Sequence, residues 1–224
     1  MTVIYEDNHI IIVNKSSSEI VQGDKTGDTP LSEIVKQYIK EKYNKPGNVF
    51  LGVVHRLDRP VSGIVIFAKT SKALPRLNEM FRNGEIKKSY WAIVKQCPAE
   101  THRELTHYLV RNEKQNKSYA YDKEVKDSKK AVLEYRLIGR SQNYYLLEVD
   151  LKTGRHHQIR CQLAKMGSPI KGDLKYGSAR SNPDGSISLH SRKVSFIHPV
   201  SQQLIELEAP VPEGNLWSGF EMIE

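Results

Sequence analysis

A carboxylate with an arginine on either side runs almost directly into a wholly apolar stretch. The segment reads His55-Arg56-Leu57-Asp58-Arg59-Pro60-Val61-Ser62-Gly63, then Ile64-Val65-Ile66-Phe67-Ala68. The apolar stretch predicts a strand, and the proline and glycine before it predict the turn that feeds it. Any fold of this chain must therefore bring Asp58 to a sheet where a strand begins. Arginine keeps its proton in a protein, so the positive charge beside Asp58 is permanent. Two readings follow. One is a structural ion pair at a strand edge. The other is a fixed carboxylate working on a sugar while guanidiniums grip the surrounding phosphates.

The other segments predict how that strand is embedded. Val3–Tyr5 and His9–Val13 read as two short strands around an Asp7-Asn8 turn. Thr29 is the expected N-cap of a helix opened by Pro30. In that helix Leu31, Ile34, Val35, Tyr38 and Ile39 form one apolar face. Val49–Val54 predicts a strand, Ser71–Asn83 a second helix stopped by Gly84, and Lys87–Val94 another strand. Residues 98–130 are the least regular, with Lys114, Lys117, Lys123, Lys126, Lys129 and Lys130 spread through them. They read either as an RNA-contacting hairpin or as a solvated loop. Ala131–Ile138, Tyr144–Leu151, Ile187–Ile197 and Leu204–Ala209 predict further strands, and His157–Met166 a helix. The expectation is a single α/β domain over residues 1–224, of the α+β type, on a central mixed, largely antiparallel sheet.

Composition narrows the function. At 224 residues, 38% hydrophobic and 27% charged, the chain is that of a soluble globular protein. No apolar run approaches the roughly 20 residues needed to cross a bilayer. The N-terminus lacks a secretory pattern and the two cysteines lack metal-ligand spacing, so a cytoplasmic protein with reduced thiols is expected. The formal net charge of +8 favours a polyanionic partner, nucleic acid first.

A second dense segment, Thr153-Gly154-Arg155-His156-His157-Gln158-Ile159-Arg160, sits at a strand-to-helix turn. Free backbone N–H groups there favour anions. Arg160 is placed to reach a carboxylate from another strand, although surface ion pairing is the simpler reading. The paired histidines have no third ligand at zinc spacing. His190 and His198 read as structural. No phosphate-binding glycine loop and no nucleophile elbow is present. Tyr90 follows two lysines at a strand start, a place from which a ring can stack on a base or simply pack.

Taken together, these segments resemble the RluA-type pseudouridine synthases. The resemblance is carried by His55-Arg56-Leu57-Asp58 with Ser62-Gly63, by Lys88-Ser89-Tyr90-Trp91-Ala92, and by Thr153–Arg160. It continues in Gly167-Ser168-Pro169-Ile170-Lys171-Gly172-Asp173 and Tyr176-Gly177. It implies a mixed sheet bisected by an RNA-binding cleft, and isomerisation of uridine in ribosomal or transfer RNA with no cofactor and no metal. Asp58 matches the catalytic aspartate, Tyr90 the tyrosine that stacks on the target base, and Arg160 the arginine paired with that aspartate. Arg56, Arg59, Lys88, Arg155, His157 and Ile159 match or flank RNA-contacting positions. No separate S4-like module, no membrane contact and a monomeric state are expected. Ser16-Ser17 stand where the family commonly has proline and glycine, and Cys161-Gln162 replace a pair that often includes histidine. Two rival classes fit parts of the pattern. One is a non-catalytic RNA chaperone. The other is a glycosidase pairing Asp58 with Glu85 or Asp173.

Overall fold

The structure, a computed structural model, describes residues 1–223. Its first strands are β1 (Thr2–Glu6), β2 (Ile10–Lys15), β3 (Gly52–Val53) and β4 (Ser62–Ala68), with helices α1 (Leu31–Lys42) and α2 (Ala73–Asn83). There follow β5 (Lys87–Val94), β6 (His102–Asn112), β7 (Lys117–Tyr121), β8 (Lys129–Arg140) and β9 (Tyr145–Leu151), then α3 (Gln158–Lys165). The chain closes with β10 (Leu189–Ile197), β11 (Leu204–Glu208), the short α4 (Asn215–Ser218) and β12 (Glu221–Met222). This is an α+β fold whose strands pair in the order β1-β2-β4-β10-β5-β9-β8-β6-β7.

The chain divides into two compact units, each discontinuous in sequence. The first comprises Met1–Ile86 with Arg192–Pro210, and the second Lys87–Ser191 with Val211–Glu224.

In the first unit β2 lies antiparallel between β1 and β4, with Ile12 opposite Ile66. Ile10, Ile12, Ile64 and Ile66 pack with Leu77 of α2, and Val194, Phe196 and Ile205 from the later segment complete that core. The α1 stripe is as expected, with Leu31, Val35 and Ile39 buried. Its start is not: Pro30 is the flanking residue and no side chain caps the helix. The N–H groups of Leu31 and Ser32 instead donate to the carbonyls of Ile20 and Val21, at 2.7 and 3.1 Å. Backbone from the preceding loop thus does the work assigned to Thr29. Val49–Val54 shrinks to the two-residue β3. Gly84 ends α2 in the left-handed conformation (φ 72°), where a side chain would be strained.

In the second unit β5 pairs with β9, β9 with β8, β8 with β6, and β6 with β7, all antiparallel. Residues 98–130 are therefore not loop; most of them form the β6–β7 hairpin and the start of β8. Leu105, His107 and Leu109 alternate inward along β6. A buried histidine at the middle of that stripe hides the alternation from the sequence. Leu109, Ala131, Cys161 and Tyr176 form the core beneath the hairpin, and Ile93, Ile138 and Leu146 a second one.

Candidate active site

Asp58 stands in a turn whose neighbours are held on both sides. The Val61 N–H donates to the Asp58 carbonyl at 3.0 Å, and Leu57 is buried. The ring of His55 lies on Phe81 with centroids 4.6 Å apart, and its Nε2 accepts the Ile66 N–H at 2.9 Å. His55 thereby ties the turn to the middle of β4. Asp58 itself is half-buried, and Arg56 is exposed.

Arg59 departs from expectation. Its guanidinium donates to Asp28 Oδ2 at 2.7 Å and to Thr26 Oγ1 at 2.8 Å, and lies 3.5 Å from Asp24. Two carboxylates and a hydroxyl in the 24–28 loop thus share the charge of this cation. The buried cation near Asp58 in this unit is Lys15, 1% exposed at the end of β2. Its Nζ donates to the carbonyls of Ser16, Glu19 and Arg59 at 2.9, 2.8 and 3.2 Å. Burial pulls the Lys15 pKa down to about 8, while attraction to Glu19 and Asp58 works the other way. Nothing in the sequence singles Lys15 out, because its partners are main-chain carbonyls.

In the second unit the Thr153–Arg160 turn is fixed by Gln158. Its Oε1 accepts from Thr153 Oγ1 and from the Arg155 N–H, at 2.8 and 2.9 Å, and its Nε2 donates to the Val132 carbonyl at 3.1 Å. His157 takes a left-handed backbone conformation (φ 52°) just before α3, which turns its ring inward. His156 instead bonds Ser118 and Asn116, so the two histidines are engaged separately although their rings stack at 3.8 Å.

The densest polar constellation in this unit centres on Arg160, which is 5% exposed. Its Nε and Nη2 donate to the two oxygens of Asp173 at 2.7 and 2.9 Å, a bidentate pair. Its Nη1 lies 3.1 Å from His157 Nε2. A guanidinium only donates, so His157 Nε2 accepts and the ring hydrogen sits on Nδ1. Nδ1 then donates to Tyr176 Oη at 2.9 Å, which also accepts the Ser118 N–H at 2.8 Å. Burial raises the Tyr176 phenol and keeps it protonated. The sequence motif contains Asp173, but only the structure shows it as a bidentate partner of Arg160. Gly172 makes this possible: φ is 90°, and a Cβ there would meet the Ser186 carbonyl at 2.7 Å.

The other candidates lie as follows. Tyr90 is buried on β5, opposite Val149. Lys88, two residues earlier, is partly buried, and burial lowers its pKa. Ile159 is buried in α3. Arg155 is exposed, with its Nε donating to the Lys130 carbonyl at 3.0 Å. His198 is structural, its Nδ1 accepting the N–H groups of Val200 and Ser201 at 3.1 and 2.9 Å. No helix among the described residues is long and apolar enough to cross a membrane.

Comparison with known proteins gives this geometry a family. The RNA pseudouridylate synthase family matches over residues 9–165, a span that holds Asp58, Tyr90 and Arg160. An uncharacterized RNA pseudouridine synthase of Synechocystis is 32% identical over 95% of this chain. Ribosomal large subunit pseudouridine synthase D of Xanthomonas campestris is 31% identical over 95% of it. The chain spans 66% of the length of each of those two relatives. Transfer RNA pseudouridine synthase C of Vibrio cholerae is 29% identical over 98% of this chain and 93% of its own length. Among solved structures, the human protein called RNA pseudouridylate synthase domain containing 4 has the same fold. It superposes with a TM-score of 0.78 at 20% identity, over 94% of this chain and 88% of that one. By fold, motif and sequence, this chain belongs to the RNA pseudouridylate synthase family, among its RluA-type members.

Proposed function

We propose that this protein isomerises selected uridines in structured ribosomal or transfer RNA to pseudouridine. The observation that carries the reading is the family match over a span that contains all three candidate catalytic residues. Its relatives named for ribosomal and transfer RNA supply the substrate class. The net charge of +8 suits a polyanion, with binding that weakens as salt rises.

The reaction breaks the N1–C1′ bond, turns the uracil, joins C1′ to C5 and releases the C5 proton. Nothing is oxidised or hydrolysed, so no co-substrate is called for. A paired base is out of reach, so the target nucleotide must be flipped at a cost of a few kcal/mol. Asp58 acts on the ribose, by attack at C1′ or by taking the C2′ proton to give a glycal. Either route uses the carboxylate form. Tyr90 holds the detached uracil by stacking. Arg160, oriented by Asp173 and His157, is the guanidinium that partners the catalytic carboxylate. Arg56, Lys88 and Arg155 meet the RNA strand, Arg59 flanks it from its anchorage on the 24–28 loop, and His157 and Ile159 shape the base pocket. The protein acts as a cytoplasmic monomer.

The glycosidase alternative loses its second carboxylate. Asp173 spends both oxygens on Arg160, and Glu85 is an exposed residue bonded to Asn83. An RNA chaperone, for its part, needs no carboxylate at Asp58. Carbodiimide mapping of pseudouridine in total RNA, with and without this gene, tests activity and names the site together. Asp58→Ala should abolish conversion and leave RNA binding intact; turnover in that variant removes Asp58 from the chemistry.

A further inference from the structure

The lysine-bearing segment that the chemistry leaves unused forms a surface of its own. Strand pairing sets Tyr119 beside Val110, Tyr121 beside Tyr108, and Tyr108 beside Lys130. Paired residues share a sheet face, so Tyr108, Val110, Lys117, Tyr119, Tyr121 and Lys130 lie on one side of β6, β7 and β8. The opposite side carries Leu109 and Ala131, which pack with Cys161 of α3. Tyr119 and Tyr121 are 38% and 42% exposed, unusual for two large rings on one strand. Their spacing of two residues puts them roughly 7 Å apart. The Lys117 ammonium sits 5.3 Å from the Tyr119 ring centre, and Tyr119 Oη donates to Gln115 Oε1 at 2.5 Å, which steadies that ring. No acidic residue occupies these paired positions. The acidic residues nearest on this face are the facing pair Glu104 and Glu134, four residues along from Tyr108 and Lys130, and Glu113 stands at the hairpin turn beside Lys114.

We propose that this face docks a single-stranded stretch of the substrate RNA, outside the nucleotide being isomerised. Two exposed rings at strand spacing stack successive bases whatever their sequence, and the lysines beside them meet the phosphates. The charged side chains paired among the rings, Lys117 and Lys130, are both cations, which is why the polyanion is the occupant. The proposal rests on the RNA-modifying reading above, and extends it to how a target is gripped beyond the active site.

The test uses the whole chain and an unstructured oligouridine as probe, with binding read by fluorescence anisotropy. The double variant Tyr119→Ala/Tyr121→Ala should bind about tenfold or more weakly, since each stacked base contributes substantially to affinity. Tyr119→Phe/Tyr121→Phe should bind as the wild type does, because the rings remain. Thermal unfolding of both should match the wild type, the rings being exposed. Equal affinity of the alanine variant and the wild type overturns the proposal. So does equal weakness of the alanine and phenylalanine variants, which would point to hydroxyls rather than stacking. A wild-type dimer that the alanine variant dissociates, with oligouridine binding unchanged, also overturns it by making the face a self-contact. Pseudouridine mapping is run separately on wild type. Conversion without a ring effect defeats only this surface; a ring effect without conversion anywhere defeats only the enzymatic reading.

Discussion

Lys15 and Arg160 are both cations taken out of water, and their partners decide how each behaves. Arg160 has a carboxylate, so the charge is matched where it lies. Replacing Asp173 with Asn keeps the shape but removes the charge, and should cost roughly 3 kcal/mol of stability, measurable by urea unfolding. Lys15 has three carbonyl dipoles, and its pKa falls to about 8. Between about pH 8 and the unfolded value near 10.4 the unfolded chain binds the extra proton, so stability contributed at this site rises with pH. Relative to Lys15→Met, the wild type should gain about 3 kcal/mol between pH 7 and pH 11. A difference that stays flat would show that Lys15 is not desolvated. Asp58 was legible because its neighbours form a dense motif. Lys15 and the Asp173 partnership were not, because contacts between residues far apart in sequence, or with main-chain atoms, leave no local pattern.

At the scale of elements, periodicity recovered what is periodic. The α1 stripe, the α2 stop at Gly84, β4, β5, β8 and β9 all follow from spacing and punctuation. Failures came where another part of the chain supplies what the local sequence seems to lack. The first turn of α1 borrows carbonyls from Ile20 and Val21, so Thr29 is idle as a cap. Thr29→Ala should therefore change stability by less than about 0.5 kcal/mol, where a working cap would cost about 1 kcal/mol. Thermal melting distinguishes the two. The β6–β7 hairpin is only one of two readings that the sequence allows, because His107 interrupts its inner stripe and lysines crowd its ends. Its buried ring makes sense only once Gln162 is seen donating to His107 Nδ1 at 2.9 Å.

For the whole molecule, the sequence conveyed a sheet-based α+β fold and its family, but not the division into two compact units. That division cannot be read locally, because each unit is assembled from separated stretches of chain. The core of the first unit needs Val194, Phe196 and Ile205, contributed more than a hundred residues after α2 ends. A fragment of residues 1–86 should stay largely unfolded by circular dichroism, and adding a peptide of residues 192–210 should restore its structure. A fragment that folds unaided would show that β10 and β11 are dispensable to it. The same arrangement bears on synthesis. A ribosome releases Asp58 well over a hundred residues before it makes β10 and β11, so the scaffold beneath that residue stays unfinished in the meantime, and a product cut short between the two would carry the motif without the means to hold it in place.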